Sequence, residues 1–176
     1  MIETAQTICI DTAIEQVWDY VQDMQRWANL MPGAQSCTVI DRNDSRWTLK
    51  VGAGGLVRTV NILVHVESWD APRAVNFTYE LENDPVKGSG AYLAVGKIES
   101  ETEVTLILRV EGSGPMAPMW EAVCKRVLPQ LAKSFAAKLK AEIEQRYVSP
   151  QTELTPQAPS AWTALARKLR PNRPIQ

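Results

Sequence analysis

Acid-base, thiol or metal chemistry in this chain has few side chains to draw on. The single histidine, His65, stands between Val64 and Val66, on the strand parity that faces solvent. It has no Cys or carboxylate at metal-ligand spacing and no nucleophile placed to use it, so neither a metal site nor a Ser/His or Cys/His pair is expected. Cys9, Cys37 and Cys124 are an odd number of thiols without a CxxC pair, which fits a reducing compartment better than a disulfide framework. Cys124 falls on an apolar helical stripe, where a thiol acts as a small hydrophobe with a raised pKa. Gly52-Ala53-Gly54-Gly55 and Gly88-Ser89-Gly90 do not lead from a parallel strand into a helix and carry no GK[ST], so they read as turns and close-approach points and not phosphate cradles. A bulge is the expected reason for Gly88 and Gly90. What remains is the pair of phenols on inward parity, Tyr79 and Tyr92, either of which could donate a hydrogen bond to a carbonyl.

These side chains sit in a chain of 176 residues, 45% apolar, long enough for one domain and an appendage. The net charge of −1 and pI near 5.9 do not point to nucleic acid. The N-terminus carries acids where a signal peptide needs basic residues, and no apolar window reaches membrane-spanning length, so a cytoplasmic location is expected.

Alternation in TAQTICID predicts a first strand, with Asp11 or Thr12 capping a helix over Ala13 to Asp23 and a second helical turn over Gln25 to Leu30 before Pro32-Gly33. Six further strands follow, joined by short turns that favour antiparallel neighbours. Val60, Ile62, Val64 and Val66 share one parity, as do Val75, Phe77, Tyr79 and Leu81, and Val104, Leu106, Leu108 and Val110. Arg58, Glu80, Glu82, Arg109 and Glu111 are assigned to the wet face, and Arg58 and Arg109 receive no role. Met116 to Tyr147 is a long helix with Trp120, Val123, Cys124, Val127, Leu131, Phe135, Leu139 and Ile143 on its apolar stripe, and Pro129 predicts a kink or break near Arg126 to Leu128.

The sum is an α+β plan, a seven-stranded curved antiparallel sheet around one long C-terminal helix, with two short helices after strand 1. Such a sheet leaves room for an apolar cavity. Its expected lining is Trp120, Val123, Cys124, Val127 and Leu131 from the helix and Val60, Ile62, Phe77, Tyr79, Tyr92 and Leu108 from the strands. Trp27, Leu30 and Met31 would close the open end. The alternative is that the same side chains meet in a filled core.

After Val148 the sequence SPQTELTPQAPS reads as a Pro-rich disordered linker over 149–159, closing a globular domain of 1–148. Residues 160–176 recover a short basic amphipathic pattern. Trp162, Leu165 and Leu169 share an arc flanked by Arg167, Lys168 and Arg170, and four basic residues against Glu153 make 149–176 net +3. About ten residues are too few to be helical alone in water, so the tail is expected to fold on a bilayer or a partner groove.

The order of elements, with Val17-Trp18-Asp19, Leu30-Met31-Pro32-Gly33, Leu49-Lys50-Val51-Gly52, Gly88-Ser89-Gly90 and the strand ending in Glu111-Gly112, resembles the helix-grip superfamily of START-like proteins and polyketide cyclases. Within it the chain is similar to the G-subunit family of carbon monoxide dehydrogenase over residues 1 to 147. It departs at Met31, at Ala53-Gly54-Gly55 and at Pro115 and Pro118. That resemblance implies a non-catalytic accessory protein with no required cofactor, carrying a quinone or lipid. Its implied partners are the inner membrane face and a molybdenum hydroxylase-type oxidoreductase, and the tail's own pattern adds reversible docking to one or the other. A polyketide cyclase or dehydratase using Tyr79 or Tyr92 in the same cavity, and a membrane tether with a filled core, are the competing expectations.

Overall fold

The computed structural model describes residues 1–53, 55–98 and 100–147; the linker and the tail docking residues Trp162, Leu165, Arg167, Lys168, Leu169 and Arg170 lie outside them. The elements run β1 (Ile2–Ile10), α1 (Ile14–Val21), α2 (Met24–Leu30), β2 (Ala34–Val39), β3 (Asp44–Ala53), β4 (Leu56–Asp70), β5 (Ala74–Leu81), β6 (Val86–Ile98), β7 (Glu101–Gly112) and α3 (Ala117–Tyr147). All these strands pair antiparallel in the order β1-β7-β6-β5-β4-β3-β2. Alternation decides which face is buried. Along β1 the even-numbered residues turn inward, and Val60, Val64 and Val66 on β4 do the same. Register shifts at Ala34/Ser36, Val66/Ser68 and Gly96/Ile98 put bulges in the sheet, and bulges increase twist and bend strands.

β1 and β2 are the two outer strands of the sheet, so α1 and α2 must carry the chain from one edge to the other. A connection that crosses an open sheet end has to be apolar, and it is: Val17, Tyr20, Val21, Met24, Trp27, Ala28 and Leu30 are all buried. Helix α1 is shorter than its pattern suggests, because Gln22 and Asp23 form the joint to α2, which starts one residue earlier than expected. Asp23 caps α2 by accepting from the Gln25 N–H at 2.9 Å. The cap expected from Asp11 or Thr12 is not made. Ala13 holds the α1 N-cap position without a side-chain bond, and Thr12 is buried with its carbonyl accepting from Thr102 Oγ1 at 2.7 Å. At the exit of α2, Gly33 has φ 77°, and a Cβ there would stand 2.0 Å from the Lys50 carbonyl oxygen, so the turn and its contact with β3 require glycine.

Helix α3 runs unbroken through Pro129, so of the kink or break expected there the break does not occur. Its two halves differ. Phe135, Ala136, Leu139 and Ile143 are buried, and that half is pinned by Lys140 Nζ donating to the Cys9 carbonyl (2.6 Å), by the Asp11 N–H donating to Glu144 Oε1 (3.0 Å) and by the Tyr147 hydroxyl on Asp19 (2.6 Å). Trp120, Val123, Cys124, Val127 and Leu131 in the other half are only partly covered.

Candidate functional site

That half of α3 stands off from the sheet and encloses a cavity of about 440 Å³, within the roughly 300–1,000 Å³ common for small-molecule sites. Of the residues expected to line it, Trp27, Met31, Val60, Ile62, Phe77, Tyr79, Leu108, Trp120, Val123, Cys124, Val127 and Leu131 do. Leu30 and Tyr92 do not. Both are buried in the packed cluster below the cavity, where Trp27 packs edge-on against Tyr92. The lining also takes in Trp47, Leu49, Val86, Val110, Leu128 and Phe135, which the sequence reading omits although alternation or helical spacing was the available signal. The filled-core alternative fails over this end of the molecule, since sheet and helix do not interdigitate there.

The floor is aromatic. Trp27 stacks edge-on against Phe77 (centroids 5.9 Å apart) and Tyr92 (6.0 Å) and tilts over Phe135 (5.5 Å), and its indole N–H donates to the Val21 carbonyl. The walls are almost wholly apolar, and two of their polar side chains are tied to protein acceptors. Trp47 Nε1 donates to Ser45 Oγ at 2.9 Å, and the Tyr79 hydroxyl donates to the Arg109 carbonyl at 2.8 Å. Burial raises the pKa of both the Tyr79 and Tyr92 phenols, so each stays protonated. Burial, and then the charge of Glu121, also raise the Cys124 thiol.

Gly88 and Gly90 are not at a bulge, which corrects the expectation for that motif. In the ladder Tyr79 faces Gly88 and Phe77 faces Gly90. A Cβ on Gly88 would lie 2.2 Å from the Arg109 oxygen and 2.4 Å from Tyr79 Cζ, and one on Gly90 would lie 2.3 Å from Phe77 Cζ. The two rings lie across the bare strand and form part of the cavity wall.

Arg58 corrects a second expectation. It shares parity with Val60 and lines the cavity instead of facing away. At the mouth its guanidinium grips Asp84 with two bonds of 3.0 and 2.9 Å and lies 6.0 Å from the Trp120 ring centroid. Arg109 does face outward, paired with Glu3 at 2.6 Å. His65 is on the outer face, its Nδ1 2.7 Å from Asp44 Oδ1 on the paired strand, a neighbour that spacing alone does not reveal. Among the described residues no three His, Cys, Asp or Glu side chains converge as metal ligands, and no helix is long and apolar enough to cross a membrane.

Comparison with solved structures shows the same fold. The chain is similar to a conserved protein from Geobacillus kaustophilus (TM-score 0.72, 18% identity, covering 83% of this chain and 97% of that one). It is also similar to a START superfamily protein from Mycobacterium smegmatis (0.62, 16%, 82% and 98%) and to the Zhui aromatase/cyclase from Streptomyces sp. R1128 (0.60, 16%, 82% and 94%). No curated protein matches the chain. Residues 1–144, which contain every strand named above and nearly all of α3, match the family described as polyketide cyclase / dehydrase and lipid transport, and the chain belongs to that family.

Proposed function

We propose that the domain binds and carries a quinone- or lipid-like molecule in this cavity without transforming it. The supporting observation is the state of the wall's polar groups: the Tyr79, Trp27 and Trp47 donors are spent on protein acceptors, and among the described residues no carboxylate or histidine lines the space. Such a wall selects by size and shape and has no acid or base to offer. Cyclase-like catalysis would need a free donor at Tyr79 or Tyr92. The first is bonded to the backbone and the second is walled off in the core.

The narrower likeness to the G-subunit family of carbon monoxide dehydrogenase rests on the sequence motifs, and it carries the proposal that a molybdenum hydroxylase-type oxidoreductase is the partner. In the same reading residues 149–176 dock the cytoplasmic protein reversibly to the inner membrane face or to that partner. Arg167, Lys168 and Arg170 contribute roughly 1 kcal/mol each on an anionic surface, and an aromatic and two leucines add a few more, which suits exchange and not permanent anchoring. Uptake of N-phenyl-1-naphthylamine by the purified chain tests the carrier role. Saturable uptake near one probe per chain supports it, and no uptake contradicts it.

A further inference from the structure

We propose that Arg58 is the polar anchor of the cavity and that it selects lipophiles bearing a neutral carbonyl, as a ketone, quinone or ester does, over carboxylates. The inference rests on the carrier reading above and narrows it to a ligand class. Among the described residues Arg58 is the only charged one on the cavity wall. Its half-exposed guanidinium is held by Asp84, largely buried, through a hydrogen bond at 3.0 Å and a second charge contact at 2.9 Å, and lies 6.0 Å from the Trp120 ring centroid. A guanidinium has five N–H donors, so with at most two facing Asp84 about three or more remain for another acceptor.

Charge decides which acceptor. The Arg58–Asp84 pair is already neutral. Two other acids on the flanking segments have their own cations, Glu82 with Arg46 at 2.5 Å and Glu121 with the N-terminal amine at 3.3 Å. A carboxylate at Arg58 would therefore share one cation with Asp84 and leave an unbalanced negative charge beside it, whereas a carbonyl accepts the same hydrogen bonds at no such cost. The wall runs from Met119 to Phe135 along α3, about 24 Å at 1.5 Å per residue, so a ligand anchored at the mouth has its apolar body directed down toward Trp27.

Calorimetric titration of the full chain with three probes of similar size tests this: 2-acetylnaphthalene, 2-isopropylnaphthalene and 2-naphthoate at pH 8. The wild type is expected to bind the ketone at least fivefold tighter than the carboxylate. Arg58→Met should weaken the ketone five- to tenfold and leave the hydrocarbon within twofold, and Asp84→Asn should strengthen the carboxylate several-fold. The double variant R58M/D84N, which leaves no unpaired acid at the mouth, should show the same loss of ketone preference if the single variant folds poorly. Equal effects of Arg58→Met on ketone and hydrocarbon, or tighter binding of the carboxylate by the wild type, would overturn the anchor and leave the carrier intact. Failure of all three probes to bind would overturn both.

Discussion

The Tyr79 hydroxyl reaches the Arg109 carbonyl at 2.8 Å across a strand position that has no side chain, because Gly88 stands opposite Tyr79 in the ladder. The ring thus closes the cavity wall and its only proton donor is turned into the sheet. Gly88→Ala should be severe, since the added carbon would meet a backbone oxygen at 2.2 Å that cannot rotate away. A loss of about 3 kcal/mol, the upper end for overpacking, is expected in urea unfolding.

Tyr79→Phe removes the same bond without the clash. It should cost about 1 kcal/mol, the net worth of one neutral hydrogen bond, and leave binding of an apolar probe within twofold. Abolished binding in this variant would mean that the phenol meets the ligand, contrary to its bond to the backbone.

The two halves of α3 predict opposite tolerance to truncation. Leu139 is fully buried in the packed half, so Leu139→Ala should cost about 2–5 kcal/mol through lost burial and a new void. Leu131 already borders empty space, so Leu131→Ala should cost about 1 kcal/mol and enlarge the site. Parallel denaturant titrations compare them, and equal losses would contradict the asymmetry.

Thiol reactivity follows from burial. Cys9 is exposed, whereas the Cys124 pKa is raised above its ordinary value of 9.0 by burial first and by Glu121 second. A raised pKa lowers the thiolate fraction at any given pH, so at pH 8 iodoacetamide should label Cys9 well before Cys124, and Cys124 labelling should keep rising beyond pH 9. A saturating lipophile should slow Cys124 further and leave Cys9 unchanged, as read by peptide mass mapping.

Pelleting with anionic liposomes checks the tail. The full chain should sediment with vesicles at low salt and lose most of that binding near 0.5 M salt, as screening weakens the basic residues' share. A chain ending at Val148 should stay in the supernatant. Equal sedimentation of the two would locate membrane binding in the domain itself.

Much of this fold is written in period-two alternation, which placed Val60, Ile62, Phe77, Tyr79 and Leu108 on the inward face without further information. What alternation does not convey is how much space lies in front of an inward residue. Tyr92 has the right parity but sits under α2, which fills the space that Tyr79 has open, so only tertiary packing separates the two. Arg58 illustrates the opposite case. Its number shares the parity of Val60, so counting it with the outward set misassigns it; the side chain lines the cavity at the mouth while its head reaches Asp84 and water. The Gly88-Ser89-Gly90 motif was visible, but its reason needed the cross-strand register that sets Phe77 and Tyr79 against it. Thr12 had the residue type for a cap, and burial against Thr102 took it elsewhere.

The most direct measurement is mass spectrometry of the full chain purified without detergent, both natively and after organic extraction, beside a Val127→Trp variant whose indole fills the cavity. The account predicts a lipophile retained near one per chain by the wild type and absent from the variant, with both proteins equally folded. Bare wild-type protein that also fails to take up an added apolar probe, or a lipophile retained equally by Val127→Trp, would contradict it.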